Sequence, residues 1–315
     1  MTRLIFATLL SYFGTTVAAA EYINWTTYKA NGVNLGGWIV QELFIDSAWW
    51  AAHSKCAIAP DEWTLCANLG RSCGPVLDQR YASWITTQDI DRLHAARVNT
   101  LRIPTTYAAW VEVPGSKLYS GKQVEYLRTE GHYGWLHNQT PLDYTLDAVD
   151  AVLEYIQQSG HPESYTIEPI NEPVDNGDIS TFCSPLSLSH AGTTWVLNYI
   201  NAVLARVSTV NPKIPVMFQG GFLGPEYWSS NLDPSANLVF NVHNYYFTGR
   251  NAAGHNLTSY ICSDAQTSGS AYWTAKCFGE ANVDGEGVQA GYWDYLAVFE
   301  QGMLNPDEAA NVCAQ

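Results

Sequence analysis

The sequence has little positive charge, no second long apolar run and no closely paired cysteines, and each shortage removes a class of function. Lys and Arg number 15 against 30 Asp and Glu, a formal net charge of −15 over 315 residues. Nucleic acid and anionic membrane surfaces are held by basic patches that displace counterions, so neither is expected as a partner. Beyond the first twenty residues no stretch approaches the ~20 apolar residues of a spanning helix, so no membrane anchor is expected. No Cys-x-x-Cys pair occurs, which speaks against a zinc site, and no cofactor or metal is called for. No internal repeat, heptad, low-complexity tract or Pro/Gly/Ser-rich linker divides the chain, so one domain is expected, in a monomer.

What is present begins with an address. Arg3 precedes an apolar run, Leu4 to Phe13, that leads to Ala18-Ala19-Ala20, the order of a secretory signal peptide. Residues 1–20 are therefore expected to be removed and the protein secreted. Residues 21–315 suit one α/β barrel domain, a fold of roughly 250 residues. Seven cysteines (Cys56, Cys66, Cys73, Cys183, Cys262, Cys277 and Cys313) read as disulfide material in an exported chain, with one left over. Sequons at Asn24, Asn138 and Asn256 are candidate glycan sites.

Short apolar runs alternate with helical patterns, as in parallel βα units. Strands are expected at Val33–Val40, Val98–Ile103, Tyr165–Ile170, Pro215–Phe218, Leu238–Val242 and Tyr272–Phe278. Thr86 or Thr87 can cap a helix through Ala96. Leu146, Val149, Val152, Leu153 and Ile156 predict a helix over Leu142–Ser159, stopped by Gly160, and another is expected over Thr194–Val207. The stretch Ala48–Arg80, with three cysteines and little periodicity, reads as a disulfide-stapled loop. The alternation breaks twice, between Ile103 and Tyr165 and between Val242 and Tyr272, so two strands of an eight-stranded barrel are missing.

Ile170-Asn171-Glu172-Pro173 follows directly on a strand-like run, which puts Glu172 at a carboxyl end, where parallel barrels place their reactive groups. Pro173 cannot continue the ladder, so the strand stops there. A glutamate in a partly desolvated cleft can give a proton to a sugar oxygen and later take one from water. Asn171 could hydrogen-bond a sugar hydroxyl. Glu168, deeper in the same strand, ranks second.

Five motifs occur in an order that resembles glycoside hydrolase family 5, most of all its fungal exo-β-1,3-glucanase branch. They are Gly32-Val33-Asn34-Leu35-Gly36-Gly37-Trp38, Leu101-Arg102-Ile103-Pro104, the Glu172 motif, His243-Asn244-Tyr245 and Tyr272-Trp273-Thr274. The resemblance implies a (β/α)8 barrel and a retaining hydrolase that pairs an acid/base glutamate with a nucleophilic one roughly 5 Å away. It matches Glu172 to the acid/base and Asn171 to the hydroxyl-binding asparagine. Arg102 matches the arginine that braces the nucleophile, and Glu42 a glutamate that touches the terminal sugar. His243 and Tyr245 match a pair lining the site from the sixth strand, and Trp273 an aromatic platform on the eighth. Arg102 as an ordinary ion-pair partner, His243 as a barrel-interior histidine and Trp273 as core are the plain alternatives.

The family's third-strand Asp-Leu-His-type motif and its seventh-strand Gly-Glu-Trp-type motif, which carries the nucleophile, are both missing. These are the same two strands that periodicity fails to find. Glu280 lies 108 residues after Glu172, a fitting interval for the nucleophile, but it follows the eighth-strand motif. Asp284 and Glu286 flank a turn-forming Gly285. The expectation is an incomplete barrel whose leading function is hydrolysis of β-1,3-glucan, with cell-wall or nutrient polysaccharide as partner. Another family 5 β-glycanase, such as an endoglucanase, is the sibling alternative. A non-catalytic glucan-binding protein, stacking sugars on Trp38, Trp273, Tyr245, Trp49 and Trp50, is the alternative of a different class.

Overall fold

The computed structural model describes residues 21–25, 27–54, 58–121, 136–243, 269–282 and 288–302. Among these are five strands: β1 (Ala30–Asn34), β2 (Thr100–Arg102), β3 (Val216–Gln219), β4 (Leu238–Asn241) and β5 (Gly269–Tyr272). All pairings between them are parallel. β1 lies between β2 and β5, with Asn34 opposite Arg102 and Val33 opposite Tyr272, so the first strand pairs with both the second and the last. That is the pairing by which a barrel closes. β3 pairs with β4, and Ile167 extends this second group by a parallel bridge to Val216.

The helices among the described residues are α1 (Ser47–His53), α2 (Glu62–Leu69), α3 (Cys73–Trp84), α4 (Thr87–Ala95), α5 (Gln139–Gln158), α6 (His190–Val210), α7 (Pro225–Ser229), α8 (Gln289–Trp293) and α9 (Tyr295–Glu300). Their faces divide the interior into three clusters. Leu142, Leu146, Val149, Leu153 and Ile156 of α5 and Val196, Tyr199, Ile200, Val203 and Val207 of α6 cover Ile167, Val216 and Phe218. Val33 and Leu35 pack with Leu93 of α4 and with Tyr295 and Leu296 of α9. The third cluster belongs to α1–α3 and the Ile39 loop. No helix among the described residues is long and apolar enough to cross a membrane.

Several expected elements are found with small shifts. Thr86 caps α4 through a capping box with Asp89. Gly160, at φ 77°, follows the end of α5. Strand Val33–Val40 shortens to Ala30–Asn34 because Gly36 and Gly37 turn the chain, the latter at φ 67°. Tyr272–Phe278 is corrected to Gly269–Tyr272. After Tyr272 the backbone bonds elsewhere, Thr274 N–H to the Trp293 carbonyl and Ala275 N–H to that of Asn34.

The reading of Ala48–Arg80 as a loop is also corrected: it holds α1, α2 and most of α3, with the Cys66–Cys73 disulfide between the last two. The buried faces are helical in spacing, Glu62, Leu65, Cys66 and Leu69 on α2 and Cys73, Leu77, Arg80, Tyr81 and Trp84 on α3. A buried glutamate and a buried arginine interrupt both stripes, which hides the period. Arg80 donates to Asp46 at 2.9 Å and to Gln41 at 3.2 Å, and its guanidinium lies over the Trp84 ring. Cys56, Cys262 and Cys313 lie outside the described residues, and Cys277 is a buried free thiol.

Both strand gaps fall partly on undescribed residues. Among the described residues no strand lies between β2 and the Ile167 segment or between β4 and β5, and residues 122–135 and 244–268 are outside the description.

Candidate active site

The carboxyl ends of the two strand groups meet through side chains. Arg102, the last residue of β2, projects a guanidinium whose donors take three different acceptors. Nη1 donates to Asn34 Oδ1 at 3.1 Å, Nη2 to Asn171 Oδ1 at 2.7 Å, and Nε to Glu168 Oε2 in a short ion pair. Asn34 in turn donates to the carbonyls of Ala271 and Tyr272, at 3.1 and 3.0 Å, which ties β5 to the same cluster. A planar five-donor fork suits this task better than an ammonium.

From Glu168 the network runs into β4. Asn241 Nδ2 donates to Glu168 Oε1 at 2.5 Å and lies 3.3 Å from His243 Nε2. His243 Nδ1 is 2.7 Å from Glu172 Oε1. The side chains of Arg102, Glu168, Glu172 and His243 are all mostly buried, between 11 and 18 % exposed. Burial pushes the Glu168 carboxyl up, but the Arg102 charge and the hydrogen bonds from Arg102 and Asn241 outweigh it. They hold Glu168 below its ordinary value, ionised at neutral pH.

Glu172 itself sits at φ 43°, a left-handed conformation that non-glycine residues seldom adopt. Such backbone persists where its surroundings over-determine it, and it gathers at functional sites. Three features surround it. Pro173 is buried after it, and its carbonyl oxygen lies 2.5 Å from where a Cβ on Gly221 would be. Beyond that, Asp175 accepts from the Ser189 N–H at 2.7 Å and the Ser189 hydroxyl at 2.5 Å, fastening the loop to the start of α6. His137 Nε2 joins the same carboxylate at 3.0 Å.

The structure thus gathers Glu172, Asn171, Arg102 and His243 into one cluster. Glu168, ranked second from sequence, is the carboxylate that Arg102 grips. Trp273 is half-buried and packs on the Val33 and Leu35 cluster. Glu42 lies in the turn before Ile45, and its charge adds, after burial and Asp294, to what raises the Cys277 thiol. Tyr245 falls outside the described residues, as do Asp284 and Glu286. Glu280 is described, and it is exposed. Trp50, one of the aromatics assigned to sugar stacking, is corrected to core: it is 3 % exposed and donates to the Ala59 carbonyl. Sequence reasoning missed Asn34 and Asn241, although both lie beside or within motifs it singled out. Among the described residues no group of three His, Cys, Asp or Glu could hold a metal ion.

No protein-family model matches the chain. Solved structures do, two of them at high identity. The crystal structure of AoRut is 43% identical with a TM-score of 0.85, the match covering 91% of this chain and 100% of that one. The crystal structure of rutinosidase from Aspergillus niger is 40% identical with a TM-score of 0.84, covering 90% and 100%. The chain belongs to glycoside hydrolase family 5. Its curated relatives include the Aspergillus niger protein named probable glucan 1,3-beta-glucosidase A, 28% identical over 259 residues, which are 72% of this chain and 58% of that protein. The chain spans about three fifths of the length of the curated relatives it matches. Membership of family 5 gives the Arg102 cluster its context, because the motifs that carry the resemblance supply five of its side chains, Asn34, Arg102, Asn171, Glu172 and His243, and sit at the ends of β1, β2, the Ile167 segment and β4.

Proposed function

We propose that this family 5 chain is a secreted β-glycosidase in which Glu172 is the acid/base. One observation carries the reading: the Glu172 carboxyl is mostly buried and anchored by His243 at 2.7 Å, at the end of a barrel segment beside Asn171 and Arg102. A carboxyl so placed can protonate a leaving-group oxygen and then activate water. Asn171, held through its Oδ1 by Arg102, keeps its amide nitrogen for a sugar hydroxyl. Tyr245 and Trp273 supply aromatic faces, and Glu42 a carboxylate for the terminal sugar. The Cys66–Cys73 disulfide supports export, since such bonds persist in oxidising compartments.

The substrate is a β-linked glucoside. The names of the curated relatives favour a β-1,3-glucan, whereas the higher identity and full coverage of the rutinosidase favour a rutinoside. Purified protein assayed on laminarin and on a 4-nitrophenyl rutinoside, beside Glu172→Gln, tests both the class and the choice. Product from the unaltered chain with a loss of ~100-fold or more in the variant is expected. Equal rates in the two proteins would remove Glu172 from its role.

A second reading is favoured by the position of Glu280. That residue is exposed, and the cluster's other carboxylate, Glu168, is committed to Arg102 and Asn241, so neither is poised as the nucleophile. In this reading the chain binds β-glucosides without turning them over. Binding of laminarin oligosaccharides with no released sugar would establish it, and a fluoroglycoside label mapped to any residue would exclude it.

A further inference from the structure

We infer that Glu168 and Asn241 are positioning residues that decide which nitrogen of His243 carries its proton, and so fix the hydrogen bond that aims Glu172. The inference is a chain of donor and acceptor constraints. Arg102 is always charged and donates through Nε to Glu168, so Glu168 Oε2 accepts. The carboxylate is thereby kept ionised and has no proton to donate. The group 2.5 Å from its second oxygen must then be a donor, which makes it the Asn241 amide nitrogen and not the amide oxygen.

That orientation has a consequence on the far side of Asn241. The same Nδ2 lies 3.3 Å from His243 Nε2, and its second hydrogen is the one available there. His243 Nε2 must accept, so its proton resides on Nδ1. Nδ1 is the atom 2.7 Å from Glu172 Oε1, and it therefore donates to that oxygen. Were the proton on Nε2 instead, two donors would face each other at Asn241, and an unprotonated Nδ1 would face a carboxylate oxygen. The charged groups that face His243 among the described residues are Glu172 and Glu168, both from the Ile167 segment and the turn that follows it.

Neither Glu168 nor Asn241 needs to touch a substrate in this scheme. They act through His243, and a carboxyl held through Oε1 presents its proton from a defined direction. The tautomer stands independently of any activity, while the catalytic consequence rests on Glu172 being the acid/base.

The experiment is nitrogen-15 NMR of the whole protein labelled in histidine, with His243→Ala assigning the signals. At neutral pH the His243 ring is expected to show a protonated Nδ1 and a bare Nε2. Asn241→Asp places an acceptor opposite Nε2, so the bare-nitrogen signal should be lost there; Glu168→Gln should give a mixture. A bare Nδ1 or a doubly protonated ring in the unaltered protein overturns the inference, whether or not either variant folds. So does an Asn241→Asp protein that folds with an unchanged ring. In kinetics, Asn241→Asp should lower kcat/KM on a phenyl β-glucoside by ~10-fold or more, and on a dinitrophenyl β-glucoside by less than ~3-fold, because only the poor leaving group needs an aligned acid. Equal losses on both would assign Asn241 to the fold alone. No turnover on either would fail the acid/base reading and leave the ring signals to decide the tautomer.

Discussion

His243 Nδ1 stands 2.7 Å from Glu172 Oε1, joining the residue two past β4 to one at the end of the Ile167 segment. The contact links separate parts of the chain that meet only in the folded protein. If it orients the acid, His243→Ala should lower kcat on poor leaving groups by ~10- to 100-fold with a smaller change on activated ones. Steady-state kinetics on a phenyl and dinitrophenyl pair checks this.

Arg102 holds a mostly buried carboxylate whose charge has no other cationic partner among its described hydrogen bonds. Arg102→Met should therefore cost ~3–5 kcal/mol, the penalty of leaving a buried charge uncompensated. Pairing it with Glu168→Gln should recover part of the loss, because the stranded charge is gone. Urea unfolding of the two single variants and the double variant measures both, and additive losses would refute the coupling.

Glu62 is buried on the inner face of α2, and burial pushes its carboxyl up to about 8, against the hydrogen bond it accepts from the Gln41 N–H. The folded form thus binds this proton more tightly than the unfolded chain, whose carboxyl keeps its ordinary value of 4.5. The stability contributed is complete below about 4.5 and is lost as pH rises through about 8. Carboxylates held low, Asp175 by Ser189 and Glu168 by Arg102, act in the opposite sense in acid. The test is therefore a difference: the stability of Glu62→Gln should decline less than that of the unaltered protein between pH 5 and 8.

Gly221 lies at φ 63°, and a Cβ there would meet the Pro173 carbonyl at 2.5 Å. Gly221→Ala should destabilise by ~1–3 kcal/mol, from left-handed strain and from displacement of Pro173. Because Pro173 follows Glu172, activity at saturating substrate should fall further than the folded fraction does. Thermal unfolding and kcat, measured on one preparation, separate the two.

The Cys66–Cys73 bond spans a separation of 7 residues, between α2 and α3. Loop-closure entropy for so short a ring amounts to ~2.5 kcal/mol, so a Cys66→Ala/Cys73→Ala protein should unfold at lower urea by about that much.

Helix α5 was legible because Leu142, Leu146, Val149, Leu153 and Ile156 form an uninterrupted stripe. Helices α2 and α3 were not, because Glu62 and Arg80 occupy inward positions that an apolar pattern reads as outward. Glu172 could be found from a strand end and from Pro173, which are local signals, whereas Arg102 came from the resemblance of its motif. Asn34 and Asn241 lie in or beside such motifs, but nothing local marks what they bond to. Their importance comes from a meeting of positions 34, 102, 168 and 241 across strands, which no spacing rule encodes. Trp50 misled for a related reason: a tryptophan on an insertion looks available, and burial by Leu65, Leu77 and Tyr81 is visible only once the helices pack.

The chain of contacts from Asn34 through Arg102 and Glu168 to Asn241 crosses from one strand group to the other. Among the described residues the two groups are joined by side chains rather than by a backbone ladder, and such a joint answers to whatever those side chains bind. On the proposed function, a sugar that engages Asn171 presses on the same Arg102 fastening, so filling the cleft and holding the two strand groups together would be coupled. A ligand would then act as a rivet, slowing the separation of the two groups as well as filling the space between their ends.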